Sequence, residues 1–171
     1  MNKFHAGWYL FYTKPRHEKK VQSGLAKMEI NSFLPTKKIV RNWHDRKKII
    51  DEPLFPSYVF IYFHSTRDYF TGLATEGVLY CVRSGKELAR VSESVIDNIR
   101  LVTEQDSEVE VSSELFRPGQ RMVIRKGALT GLFGEMVQFN GHQKILIRVQ
   151  LLQRSLLVTL PSGYAMTASA V

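Results

Sequence analysis

The sequence predicts an α+β chain. A split βαβ, or ferredoxin-like, sandwich is expected over residues 7–104, an acidic linker over 105–115 and a small β-barrel over 116–165. Three observations carry that reading. The apolar pattern of the first part runs strand, helix, strand, strand, helix, strand, with a third helix after it. Glu104, Asp106, Glu108, Glu110 and Glu114 then follow with no base between them, and like charges extend a segment poor in apolar side chains. Beyond them glycine recurs at 119, 127, 131, 134 and 141 between short apolar runs, the punctuation of a small all-β domain.

Gly7 to Thr13 is an aromatic run of strand type. Pro15 suits the first turn of a helix, where its missing N–H costs nothing, and Glu18 favours that helix's positive end. Val21, Leu25 and Met28 make one apolar stripe on a helix over Arg16 to Glu29, opposite Lys19, Lys20 and Lys27. Ser32 to Pro35 reads as a short strand. Lys37 to Ile50 alternates basic and apolar residues around Trp43-His44-Asp45-Arg46, the pattern of an extended hairpin or arm. Leu54 to Phe63 is the most hydrophobic stretch and reads as a central strand. Ser65 or Thr66 caps a second helix containing Tyr69, Leu73 and Ala74, with Gly77 as its stop. Val78 to Arg83 is a further strand, and Ser92 caps a third helix with Val95, Ile99 and Val102 on one face. In the last part, strands are expected at 122–124, 134–139, 144–149 and 155–160, ahead of a frayed tail over the last ten residues.

Composition excludes several classes. The 171 residues are 44% hydrophobic and 23% charged, a globular balance. No apolar run approaches the roughly 20 residues of a membrane span, and 1–7 lack the apolar stretch of a signal peptide. A single cysteine, Cys81, forbids an internal disulfide and reads as an inert core thiol. The five histidines are scattered without ligand spacing, and no nucleophile elbow, phosphate loop or dinucleotide fingerprint occurs. A cytoplasmic, monomeric protein that is not an enzyme and carries no metal or cofactor is expected.

The net charge of +8 is unevenly placed. Between Lys14 and Lys48 eleven bases face only Glu18, Glu29 and Asp45, so the whole excess lies in this stretch. That pattern attracts phosphate or an acidic protein; a solvated face kept for solubility is the plain alternative. Aromatic residues crowd two strands: Trp8, Tyr9, Phe11 and Tyr12, then Phe55, Tyr58, Phe60, Tyr62 and Phe63. Alternation sends half of each to the face away from the helices, where an open apolar patch would mark an interaction surface. The arm or the helix after Ser92 could instead cover that face.

These residues resemble a known family. Trp8-Tyr9, Lys14-Pro15-Arg16-His17-Glu18-Lys19-Lys20, Trp43-His44-Asp45-Arg46-Lys47-Lys48 and Pro53-Leu54-Phe55-Pro56-Ser57-Tyr58-Val59-Phe60 resemble the N-terminal (NGN) domain of NusG-like transcription factors. Phe116-Arg117-Pro118-Gly119-Gln120 with Gly127-Ala128-Leu129-Thr130-Gly131-Leu132-Phe133-Gly134 looks like their KOW domain, an SH3-like barrel. The Pro-Arg-His-Glu-Lys-Lys and Trp-x-Asp-Arg-Lys-Lys pieces look most like the specialised UpxY- and RfaH-type paralogs, antiterminators of surface-polysaccharide operons.

The resemblance implies a factor that binds one conformation of a larger machine and makes or breaks no bond. Tyr12, Phe55, Tyr58 and Phe60 would dock on the β′ clamp helices of RNA polymerase, with a flank reaching the β subunit, so that pausing or termination is suppressed. Lys14, Arg16, His17, Lys19, Lys20, Arg46, Lys47 and Lys48 would face nucleic acid, the non-template DNA strand near the bubble. Leu129, Phe133 and Arg154 would serve a partner of the barrel, a small-subunit ribosomal protein or Rho. The residues with which RfaH-like proteins read DNA are not kept at Asp68, Tyr69, Phe70, Thr71 and Glu76. A ribosome-associated, KOW-type RNA-binding protein is the second reading. Val123, Ile124, Ile145, Ile147 and Val149 favour strands over a helical hairpin in the last domain.

Overall fold

The structure, a computed structural model, describes residues 4–160 and 166–168. The chain divides into two compact units, Met1–Glu93 and Ser94–Val171. The division falls ahead of the domain end expected at 104.

The first unit contains β1 (Gly7–Thr13), α1 (Glu18–Lys27), β2 (Ser32–Phe33), β3 (Thr36–Asn42), β4 (Lys47–Pro53), β5 (Tyr58–Phe63), α2 (Thr66–Leu73), β6 (Val78–Cys81), β7 (Arg83–Ser84) and β8 (Glu87–Leu88). Its main sheet has the order β2-β5-β1-β6 with antiparallel neighbours, the arrangement of a split βαβ sandwich. Both helices cover one face. Val21 and Leu25 of α1 and Tyr69 and Leu73 of α2 pack on Tyr9, Phe11, Val59, Ile61 and Phe63, the residues of β1 and β5 that point that way. The arm of the sequence is a separate two-stranded sheet, β3 against β4, paired from Thr36↔Pro53 to Asn42↔Lys47.

Local chemistry explains the element ends. The Ser65 hydroxyl accepts from Asp68 N–H at 3.3 Å while the Asp68 carboxylate accepts from Ser65 N–H at 3.0 Å, a capping box that starts α2. α1 begins at Glu18, two residues later than expected, because Arg16 adopts φ 64°, a left-handed conformation that no helix continues. β5 begins at Tyr58, not Leu54. Pro56 has no N–H to give a ladder, and Ser57 turns left-handed at φ 67°. The buried Glu18 carboxylate accepts the Ser57 N–H at 2.6 Å and fixes that turn. α2 ends at Leu73 rather than at Gly77; Ala74 caps it, and Gly77, at φ 100°, bends the chain into β6. The β7–β8 hairpin closes on Gly85 and was not foreseen.

The second unit holds most of α3 (Glu93–Glu104) and β9 (Val109–Ser112), β10 (Gln120–Ile124), β11 (Phe133–Phe139), β12 (His142–Val149), a 3-10 turn (Gln150–Leu152), β13 (Arg154–Thr159) and β14 (Met166–Ala168). Its antiparallel sheet has the order β14-β10-β11-β12-β13-β9. β10 to β13 match the four runs read from the sequence, each beginning one or two residues earlier than expected. The acidic segment differs: Val109–Ser112 is no linker but an edge strand paired with Ser155–Val158. Alternation accounts for it, since Val109 and Val111 are half-buried while Glu108 and Glu110 stay in solvent and Glu110 pairs with Lys144 at 3.4 Å. The expected tail also differs in part. Met166–Ala168 pairs with Met122–Ile124, and the rest of it, 162–165 and 169–171, lies outside the described residues.

Val137, Leu146 and Leu157 form a core of this sheet with Phe116 and Phe139 against it. Glycine at 134 is required by packing, because a Cβ there would stand 2.7 Å from the Leu146 carbonyl oxygen. Two polar clasps hold the unit. Arg148 Nε donates to Glu135 Oε2 at 2.5 Å and its Nη2 to Oε1 at 3.2 Å, while the Gly119 N–H donates to Oε1 at 3.0 Å. The buried Asn98 amide of α3 donates to the Phe133 carbonyl at 2.8 Å and accepts the Phe133 N–H at 3.1 Å.

Candidate functional site

On the face of the first sheet opposite α1 and α2, β1 and β5 set three directly opposed pairs in a row: Trp8↔Tyr62, Leu10↔Phe60 and Tyr12↔Tyr58. The centre of the row is sealed. Leu10 and Phe60 are fully buried and Trp8 nearly so. The Phe60 ring sits between Phe33 at 6.1 Å and Phe55 at 6.2 Å, and Phe55 is itself 3% exposed. The expectation that Phe55 and Phe60 present open docking rings is therefore corrected: both are packed among aromatic neighbours.

The end of the row is different. Tyr12 and Tyr58 are half-buried with ring centroids 5.2 Å apart, and Tyr80 of β6 stacks on Tyr12 at 5.0 Å while remaining 51% exposed. Edge strand β6 brings Tyr80 opposite Tyr12 in the ladder, and Leu79 beside it is also exposed. Three tyrosines thus form a ledge that is apolar on its ring faces and polar at its hydroxyl groups. Such rings anchor protein interfaces, since each offers large rigid area at small entropic cost. Tyr80 was missed in the sequence because a four-residue strand carries too little alternation to show which face its rings take.

The predicted cationic residues fall in three groups. Lys14 and Arg16 are exposed in the turn after β1, and His17 precedes α1 with its Nδ1 3.0 Å from the Pro15 carbonyl. On α1, Lys19 donates to the Asp51 carbonyl at 2.8 Å, and Lys20 pairs with Glu76 at 2.6 Å. The hydrogen bond and charge of Lys20 hold the Glu76 carboxyl below its ordinary value. Arg46, Lys47 and Lys48 stand exposed at the far end of the β3–β4 hairpin, apart from the α1 group. Lys14 joins the tyrosine ledge to the start of α1: its backbone N–H binds the Gly77 carbonyl, one residue before β6.

In the second unit Leu129 is 1% exposed and so offers no partner surface; it packs inside the 127–132 turn region. Phe133 keeps an exposed ring on a backbone clamped by Asn98, and Arg154 is exposed. Among the described residues no group of three His, Cys, Asp or Glu is placed to hold a metal ion. No described helix is long and apolar enough to cross a membrane.

The chain thus has a split βαβ unit with an aromatic ledge and a basic flank, followed in sequence by a small antiparallel β unit. Comparison with known families gives this arrangement a name. The NusG family, described as transcription termination factor nusG, matches residues 6–100, more than half of the chain, and the chain belongs to that family. Among solved structures it is similar to one of Thermotoga maritima NusG concerned with domain interaction, at 22% identity and a TM-score of 0.47, over 91% of this chain and 93% of that one. It is also similar to a chain of the MjSpt4:Spt5 complex in conformation A, at 11% identity and a TM-score of 0.33, over 95% and 99% of the two chains.

Proposed function

We propose that the chain is a non-catalytic transcription elongation or antitermination factor that docks on RNA polymerase through the tyrosine ledge. The observation that carries the proposal is the stacked, exposed Tyr80 beside Tyr12 and Tyr58, at the end of the sheet face opposite α1 and α2. The occupant is the β′ clamp helices, with the β subunit reached by the flank of the same unit. Lys14, Arg16 and His17, at the mouth of the ledge, meet the non-template strand, while Lys19 and Lys20 contribute less because each already has a partner. Docking favours the elongating state, so the factor shifts a population.

The Pro15-to-Lys20 and Trp43-to-Lys48 segments support a specialised, operon-restricted antiterminator of the UpxY and RfaH kind. The second unit is a KOW-type barrel that recruits a ribosomal protein or Rho through Phe133 and Arg154.

The test is pause suppression by the full chain on purified polymerase, with pull-down as a second readout. Tyr12→Ala with Tyr80→Ala should weaken docking by about 2 kcal/mol or more, roughly thirtyfold, with the circular dichroism unchanged. Phe60→Ala should instead cost about 3–5 kcal/mol of fold stability, because its ring is wholly buried. A folded tyrosine double variant that still suppresses pausing would refute the assignment.

A further inference from the structure

The β3–β4 hairpin has a chemistry of its own. Among the described residues it pairs with no other strand, and its four-residue tip is closed by two backbone bonds, Trp43 N–H to the Arg46 carbonyl at 2.8 Å and the reverse at 3.3 Å. Two-stranded ribbons are at best marginally stable and normally bury their apolar side chains. Here Trp43 is 61% exposed, Val40 61% and its cross-strand partner Ile49 66%.

The apolar groups are ringed by charge. Val40 and Ile49 lie on one face between the pairs Lys38↔Asp51 and Asn42↔Lys47; Arg41↔Lys48 occupies the other face. Arg41 pairs with Glu52 toward the base. Among the described residues the side chains of Arg46, Lys47 and Lys48 make no ion pair or hydrogen bond. Arg41, Asn42, Trp43 and His44 line an open recess of about 570 Å³ at the tip.

A partner that fits must carry flat apolar faces and regularly spaced negative charge at once. Single-stranded nucleic acid does, since unstacked bases expose π-faces and phosphates run alongside. Duplex DNA offers groove edges to Arg41, Asn42 and His44, but its base faces are stacked away and give the exposed Trp43 ring nothing to stack on. We propose that the hairpin is a single-strand-binding arm, in which Trp43 stacks on a base while Lys38, Arg46, Lys47 and Lys48 neutralise the flanking phosphates. This deepens the nucleic-acid half of the proposed function, yet it requires no polymerase, which keeps the two separable.

The experiment measures anisotropy of labelled oligo-dT and oligo-rU of about 15 nucleotides, and of a duplex of the same length, with the full chain and no polymerase. Four neutralised phosphates on a single strand imply a log–log salt slope near −2.8, so raising salt from about 50 to about 200 mM should weaken binding roughly fiftyfold. Lys47→Glu with Lys48→Glu should cut that to roughly sevenfold. Trp43→Ala and Trp43→Leu should each lose about tenfold or more, while Trp43→Phe retains most affinity, which separates stacking from mere apolar bulk. Exposed Trp43 fluorescence should be quenched on binding; Trp8, at 5% exposure, serves as the internal constant. A preference for oligo-rU assigns the strand to RNA and one for oligo-dT to DNA, and either supports the arm. Equal or tighter duplex binding, full affinity in Trp43→Leu, or no binding of any oligonucleotide by the folded chain overturns it, the last leaving the tip to an acidic protein surface. Tyr80→Ala should bind the oligonucleotides normally, so failure of the polymerase reading leaves this result untouched.

Discussion

Replacing Glu18 by alanine tests how the first unit shapes its interaction face. The carboxylate is 5% exposed, accepts the Ser57 N–H at 2.6 Å and occupies the first turn of α1. Removing it leaves a buried backbone donor without its charged acceptor, at a cost of about 1.5–2.5 kcal/mol, and forgoes roughly 0.5 kcal/mol of helix-end stabilisation. The sum is about 2–3 kcal/mol. For a unit of this size 2 kcal/mol lowers the midpoint by about 8–16 °C. Thermal melts followed by the buried Trp8 report on this unit directly. Glu18→Gln keeps an acceptor oxygen and should lose about half as much. Ser57→Gly should relieve the left-handed strain and lower the cost in the double variant. If Glu18→Ala melts within about 2 °C of the parent, the clasp does not hold the turn and the account of why β5 starts at Tyr58 fails.

Two further outcomes follow from ionisable groups. Burial opposes ionisation of Glu135, but the hydrogen bonds from Arg148 and the Gly119 N–H, with the Arg148 charge, outweigh it and hold the carboxyl below its ordinary value. The second unit should therefore lose stability as pH falls from about 4.5 through the folded value; Arg148→Ala should abolish that acid dependence in urea titrations monitored by circular dichroism. Burial pushes the Cys81 thiol up to about 11, so the folded chain holds its proton where an unfolded one has lost it. Stability should fall as pH rises from about 9 toward 11, and thiol reagents at pH 8 should label Cys81 only after denaturant is added.

Much of this was legible beforehand for physical reasons. The stripe Val21, Leu25 and the cap at Ser65 are local signals that tertiary contacts had no cause to override, and the four β-rich runs of the second unit were found to within two residues. Errors arose where a distant partner decided the outcome. Leu54 to Ser57 looks like strand, yet a carboxylate from α1 holds its end in a turn. Val109–Ser112 looks like linker until β13 supplies a ladder. The site suffered most, because which ring is sealed depends on neighbours: Phe60 lies between Phe33 and Phe55, whereas Tyr80, unremarkable in the sequence, reaches solvent.

The pairing of Val109–Ser112 with Ser155–Val158 has a practical consequence. Any fragment that begins near Phe116 strips the outermost ribbon from the sheet. It would bare the β13 backbone as an unpaired template beside Leu156 and Val158, both wholly buried in the intact chain. Clumping or strand exchange in such a fragment would then report where the knife fell rather than how the C-terminal region behaves in the whole chain.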